Sequence, residues 1–258
     1  MKKILSMVLA TAMLLLCGCS NKDNAEAKAQ IDSALEIVNG ENRLSCDYML
    51  EISFDGGSVL YYANGNACWD RNEIRATTIF DQNYLGSSVK MENYFADGKM
   101  YSLENKNPIE VERDGEVMLS KFPYFKIPSA DGKISVVENS SGRAYKFVYS
   151  DTKQLCQNIL GGDIYAFATV IKQPQPEKTQ YGEAQCVYTL KDGKLVSARY
   201  EFDVKLFDTP GGSANYTPPE SEYTLDLHVV AKLEYKGFGD SVEIAEYKPD
   251  KKEVDKPE

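Results

Sequence analysis

The stretch Leu16-Cys17-Gly18-Cys19 holds the first residues whose type and spacing suit a defined chemistry. Cys19 follows the small Gly18. Before that come an apolar run from Ile4 to Leu16, broken only by Ser6 and Thr11, and the positive pair Lys2 and Lys3. This is the order of a bacterial lipobox. In such a signal the cysteine thiol takes a diacylglyceryl group, and cleavage then leaves that cysteine as a lipidated N-terminus. An ordinary secretory signal has no acceptor cysteine at the cleavage point. The apolar run is too short to span a bilayer and has the length of a signal-peptide core. Residues 1–18 are expected to be removed. Two acyl chains anchor stably where one anchors only marginally, so Cys19 is expected to hold an extracytoplasmic protein on the cell membrane.

The remaining thiols are Cys46, Cys68, Cys156 and Cys186. In an oxidising compartment they are candidates for two disulfides, with three connectivities open. Cys46 and Cys68 straddle Asp55-Gly56-Gly57 with their midpoint at residue 57. A three-residue loop sets them opposite each other, within disulfide reach. A two-residue loop pairs Cys46 with Ala67 instead and gives the second strand a more apolar inner face. A bulge near Asn64-Gly65 would reconcile the two registers. Cys156 and Cys186 would staple a helix to a strand. Buried free thiols are the alternative for both pairs.

Other chemistries find little support. There is no CxxC or Cys/His spacing and one histidine in the chain, so no metal site or cofactor is expected. His228 falls on the polar face of its strand, and no GxSxG, SxxK or Cys/His arrangement exists, so no catalytic residue is assigned and the protein is read as non-enzymatic. With 39 acidic residues, some carboxylate pair always looks suitable for acid–base work and none stands out. Trp69, the one tryptophan, reads as core or rim. Loss of Lys2 and Lys3 takes the formal charge from −10 to −12. A surface of that sign repels phosphate backbones, which argues against nucleic acid, and disfavours adhesion to anionic headgroups.

Elements must position these residues. Residues 19–24 read as a polar tether. Asn24 is expected to cap a helix over 25–39, with Ile31, Leu35 and Val38 as its apolar stripe and Gly40 as its stop. From Leu44 the period becomes two, with Leu44, Cys46, Tyr48, Leu50, Ile52 and Phe54 on one face. The same alternation places Val196, Ala198, Tyr200, Phe202, Val204 and Leu206 on one face, and likewise Tyr223, Leu225, Leu227, Val229, Ala231, Leu233 and Tyr235. Asp-Gly pairs at 55–56, 97–98, 114–115, 131–132 and 192–193 mark hairpin turns and lack the oxygen ligands of a calcium loop. A helix over 152–160 is capped by Asp151 and stopped by Gly161-Gly162, and Ile164, Phe167, Ala168 and Ile171 suggest another. Residues 172–182 and 208–220 read as long loops, and 249–258 as a disordered charged tail. One apolar face per strand means an α+β domain over 25–248, an antiparallel sheet covered on one side by the N-terminal and central helices.

The order of lipobox, helix, amphipathic strands, helical interruption and final strand pair resembles the LolA/LolB-like lipoproteins, including the mycobacterial LppX and LprG group. The stretches that carry the resemblance are 92–101, 188–195 and 233–244, read as ENYFADGKMY, YTLKDGKL and LEYKGFGDSVEI. It implies a curved sheet forming a half-open barrel, helices over its concave face, and an apolar cavity for acyl chains, with no catalytic motif to carry over. Tyr48, Leu50, Ile52, Tyr200, Phe202, Val204, Leu225, Leu227 and Val229 are then the candidate cavity residues. The expected function is binding of a lipid or other amphiphile as a carrier or receptor. The alternative is an envelope interaction module with a filled core.

Overall fold

The structure, a computed structural model, describes residues 21–55, 57–104, 107–112, 128–130, 132–139, 142–209 and 223–246. Cys19, the signal segment, Asp114-Gly115, Asp131, most of loop 208–220 and tail 249–258 lie outside them.

Helix α1 (Asn21–Gly40) buries Ala27, Ile31, Ala34, Leu35 and Val38, the stripe that helical spacing dictates. It starts inside the stretch read as a tether, and Asn24 is not its cap. Asn24 Nδ2 donates to the Gly132 carbonyl at 3.2 Å, and its Oδ1 accepts from the Ile134 amide at 2.7 Å. The side chain thus serves a partner more than a hundred residues away, which a local pattern does not reveal.

Twelve strands follow: β1 (Arg43–Phe54), β2 (Val59–Asp70), β3 (Arg75–Tyr84), β4 (Ser87–Ala96), β5 (Lys99–Glu104), β6 (Asn107–Glu112), β7 (Ser135–Asn139), β8 (Gly142–Tyr149), β9 (Gln180–Tyr181), β10 (Ala184–Lys191), β11 (Lys194–Phe207) and β12 (Thr224–Phe238). They form one antiparallel sheet in the order β6-β5-β4-β3-β2-β1-β12-β11-β10-β8-β7, with β9 also on β11. The path has two free ends, so the sheet is not closed. Its centre is the pairing of the first strand with the last, Tyr48 against Leu233 and Ile52 against Val229.

Turn chemistry fixes the hairpins. Asp97-Gly98 (φ 53° and 74°) and Asp192-Gly193 (φ 51° and 75°) adopt the two positive-φ positions of a type I′ turn, as their sequence requires. Leu85-Gly86 makes a similar turn between β3 and β4 at φ 47° and 85°, with a leucine where no sequence signal points to one.

Two register shifts alter the expected faces. On β1 and β2 the shift lies between Ile52 and Ser53, not near Asn64-Gly65, so Cys46 faces Ala67 and Ser45 faces Cys68. Cys46 therefore points into the core while Cys68 lies on the opposite face, its Sγ 3.3 Å from Ser45 Oγ. The register does not set these two thiols against each other, and all four described cysteines are free. On β10 and β11 the shift at Thr189/Leu190 gives the inner position to Leu195 instead of Val196.

Helix α2 (Thr152–Leu160) is as expected: Asp151 accepts from the Gln154 amide at 3.0 Å, and Gly161 closes it at φ 64°. Ile164, Phe167, Ala168 and Ile171 do not continue as a helix. Only a 3₁₀ turn, Ile164–Ala166, forms there, and 172–182 contains a second such turn and β9. Leu155, Cys156 and Ile159 of α2 join the stripe of α1 and the inner faces of β1, β2 and β8 to β12 in one core. The molecule is thus α+β, a half-open antiparallel sheet with helices on its concave side.

Candidate functional site

The concave face is built row by row from the strand register. Ile52, Val229 and Phe202 form one row across β1, β12 and β11; Leu50, Ala231 and Tyr200 form the next. Phe54, Leu227 and Val204 lie one row further on, with Leu225 beyond them against Leu206. The nine residues expected to line a cavity are therefore brought together as one patch. Eight of them are buried, and Leu225 is half-buried. Helix α1 packs directly over β10 and β11.

The patch continues where the sequence did not point. In the row of Tyr48, the register runs Tyr48, Gly65, Phe80 and Met91 across β1 to β4. Gly65 leaves a gap over which the Tyr48 and Phe80 rings meet, their centroids 5.9 Å apart. A Cβ at Gly65 would lie 2.1 Å from the Ile79 carbonyl oxygen, so only glycine fits there. Beyond Phe80 the inner residues of β3 to β5 are mostly half-exposed: Phe80, Tyr84, Met91 and Met100. Tyr61 packs edge-on against Phe167, and Tyr84 Oη donates to the Phe167 carbonyl at 3.2 Å, which holds the segment after α2 at this margin. The β3–β5 hairpins are thus a partly covered wing whose concave side carries two apolar rows, Phe80 with Met91 and Ala76 with Phe95 and Met100, separated by a hydrogen-bonded polar row of Thr78, Asn93 and Ser102. Counting register back from Asp97-Gly98 would have found Phe95, Met100 and, four residues before Phe95 on the same face, Met91; Phe80 has no such marker.

On the β10–β12 side of the face the buried hydroxyls are phenols. Tyr200 Oη donates to Tyr188 Oη at 3.3 Å, and Tyr188 Oη donates to the Pro128 carbonyl at 2.7 Å. Burial pushes the hydroxyls of Tyr48, Tyr188, Tyr200 and Tyr235 well above their ordinary range, so all are neutral. The thiols of Cys156 and Cys186 are likewise pushed up by burial, to about 12, and that of Cys46 higher still. Such thiols are poor nucleophiles.

Among the described residues, two of the larger open grooves lie outside the concave core. One of about 750 Å³ runs between α1 and the ends of β7, β8 and β10, lined among others by Glu26, Gln30, Arg143 and Lys191. Another of about 480 Å³ includes Asp55, Gln180, Asp203, Asp226 and His228. His228 is half-buried, with Nδ1 2.7 Å from Asp203 Oδ1 and Nε2 3.6 Å from Glu201 Oε1. Ser53 is its β1 partner in register, but the ring lies between the two carboxylates. Trp69 is fully buried. Among the described residues no group of three or more His, Cys, Asp or Glu is placed to hold a metal ion, and no helix is long and apolar enough to cross a membrane.

No family model and no curated protein matches the chain. Among solved structures it is similar to the lipoprotein LppX from Mycobacterium tuberculosis, at 10% identity and a TM-score of 0.44 over 86% of this chain and 100% of that one. It is similar also to LprF from Mycobacterium bovis, at 8% identity and a TM-score of 0.48 over 86% and 96% of the two chains. A LolA superfamily protein from Nitrosomonas europaea matches at 5% identity and a TM-score of 0.26 over 86% and 94%.

Proposed function

We propose that the protein is a lipid-anchored, extracytoplasmic binding protein that takes up a lipid or other amphiphile along its concave face, without catalysis. The observation that carries this reading is the unbroken apolar row from buried Tyr48 to half-exposed Phe80 and Met91. A ligand chain laid on the wing would remove that surface from water and continue the core outward. Burying an acyl chain contributes about 0.8 kcal/mol per CH₂, so a face of neutral phenols and apolar side chains binds usefully without a charged anchor. Attachment through diacylglyceryl-Cys19 rests on the lipobox.

A second reading has its own support. Phe202, Val204, Leu227 and Val229 are at most 2% exposed and belong to one continuous core. A core packed in this way suits an interaction module whose function lies on edges and loops.

Native mass spectrometry with organic extraction of the Ser20–Glu258 domain, made without its anchor, separates the two. A co-purifying acyl lipid near one per chain is the expected result. A clean apo mass together with no uptake of a fluorescent fatty acid would sink the binding reading and leave the module.

A further inference from the structure

We infer that the anchored protein meets the bilayer through the first turn of α1 and the β7 edge of the sheet, so that the β3–β5 wing points away from the membrane holding the anchor. The inference rests on the proposed lipidation of Cys19.

Only Ser20 separates Cys19 from Asn21, the first residue of α1. Extended chain spans at most about 3.5 Å per residue, so the acylated cysteine lies within about 7 Å of the helix start. That start cannot swing freely. Asn24 is bonded in both directions to Gly132 and Ile134, Ala27 is buried, and Lys28 Nζ donates to Ser129 Oγ at 2.9 Å. Two turns on, Gln30 Oε1 accepts from Arg143 and Tyr145 of β8. The anchor therefore leaves the domain at one fixed place, beside the segment that leads into β7.

The opposite end of α1 is elsewhere. Arg71 Nη1, just past β2, donates to the Asn39 carbonyl at 2.6 Å. The helix thus crosses from the β7–β8 edge towards β2, a run of about 30 Å for its 20 residues. From β8 to β4 the sheet order counts seven strand spacings, about 34 Å along the sheet. The wing, with β6 at its outer edge, makes up the end of the sheet opposite the anchor.

A second observation lies on the surface itself. Among the described residues, three of the seven exposed large apolar side chains lie on β7 and β8: Val136 (36%) on the concave face, and Val137 (47%) and Val148 (37%) on the outer face, with exposed Lys133 just ahead of β7. Apolar side chains with a cation beside them suit the boundary between headgroups and acyl chains. Among the described residues β7 ends the sheet, and the wet headgroup layer can serve the backbone groups of such an edge. A ligand seated on the wing is then exchanged with a donor or acceptor on the far side, not lifted from the bilayer beneath.

The test uses the full lipoprotein, produced with its signal and reconstituted in phosphatidylcholine vesicles that carry a headgroup nitroxide. On a Cys68→Ser background, a fluorophore is attached at Lys133→Cys or at Ser87→Cys, the second on the wing. Quenching several-fold stronger at position 133 is expected. Inserting about ten Gly/Ser residues between Ser20 and Asn21, which adds about 17 Å of flexible reach, should lower it. Equal quenching at both positions, or stronger quenching at 87, overturns the orientation. If mass spectrometry finds no lipid on Cys19 and the protein does not float with vesicles, the anchoring reading itself has failed. Lipid on Cys19 with equal quenching refutes the orientation alone.

Discussion

Asp70, at the end of β2, is 1% exposed, and its carboxylate accepts from the Asn72 amide at 2.8 Å, the Glu73 amide at 3.1 Å and Arg43 Nε. Burial alone would raise its pKa; the two amides and the guanidinium outweigh that and hold it below the ordinary carboxylate range. A depressed folded pKa gives stability that is present above the unfolded value, near 3.9, and is lost as pH falls through the folded one. Asp70→Asn should therefore cost about 2–3 kcal/mol at neutral pH. It should also flatten the acid limb of the urea midpoint below about pH 4. A variant that keeps the whole acid limb would assign it to other carboxylates. Nothing local in Trp69-Asp70-Arg71 announces this role, because its partner Arg43 lies on the neighbouring strand. Cys46 and Cys68 were legible only as two competing registers. The choice fell to a shift at Ile52/Ser53, where Leu60 is taken up by the core.

At the scale of elements, long periodic segments were readable and their ends were not. β1, β11, β12 and α2 follow directly from alternation or capping, because each buries one face and one period serves the whole element. The wing was not legible as strands with an inner face. Its side chains are half-exposed on both sides, so selection for burial leaves no clean alternation. The start of α1 was misread for another reason: an asparagine before an apolar stripe is a good cap by type, yet here its side chain reaches residues 132–134. Asn24→Ala should remove both long-range bonds and cost about 1–2 kcal/mol. Amide hydrogen exchange should rise in the first two turns of α1 and at Ile134, with α2 unchanged. Unaltered exchange there would mean that the Ala27 and Ile31 contacts alone hold the helix start.

Across the whole molecule, the pairing of β1 with β12 makes one concave face out of the two ends of the chain. Helices occupy the β10–β11 side of that face, and the β3–β5 side is left half-covered. The two regions should answer differently to substitution. Phe202→Ala, at 2% exposure, removes a core ring and should cost about 3–5 kcal/mol, read as a lower urea midpoint. Phe80→Asp acts on a half-exposed ring and should cost far less stability, since the carboxylate keeps contact with water. If the wing seats an acyl chain, the same variant should weaken fluorescent fatty-acid uptake by about tenfold or more, because losing one or two buried CH₂ equivalents already amounts to about 1.4 kcal/mol. Titrating both variants separates a binding face from a packing face. Normal uptake by Phe80→Asp would move any ligand off the wing and under α1. Lost uptake with a native urea midpoint would place it where the row from Tyr48 leaves the core.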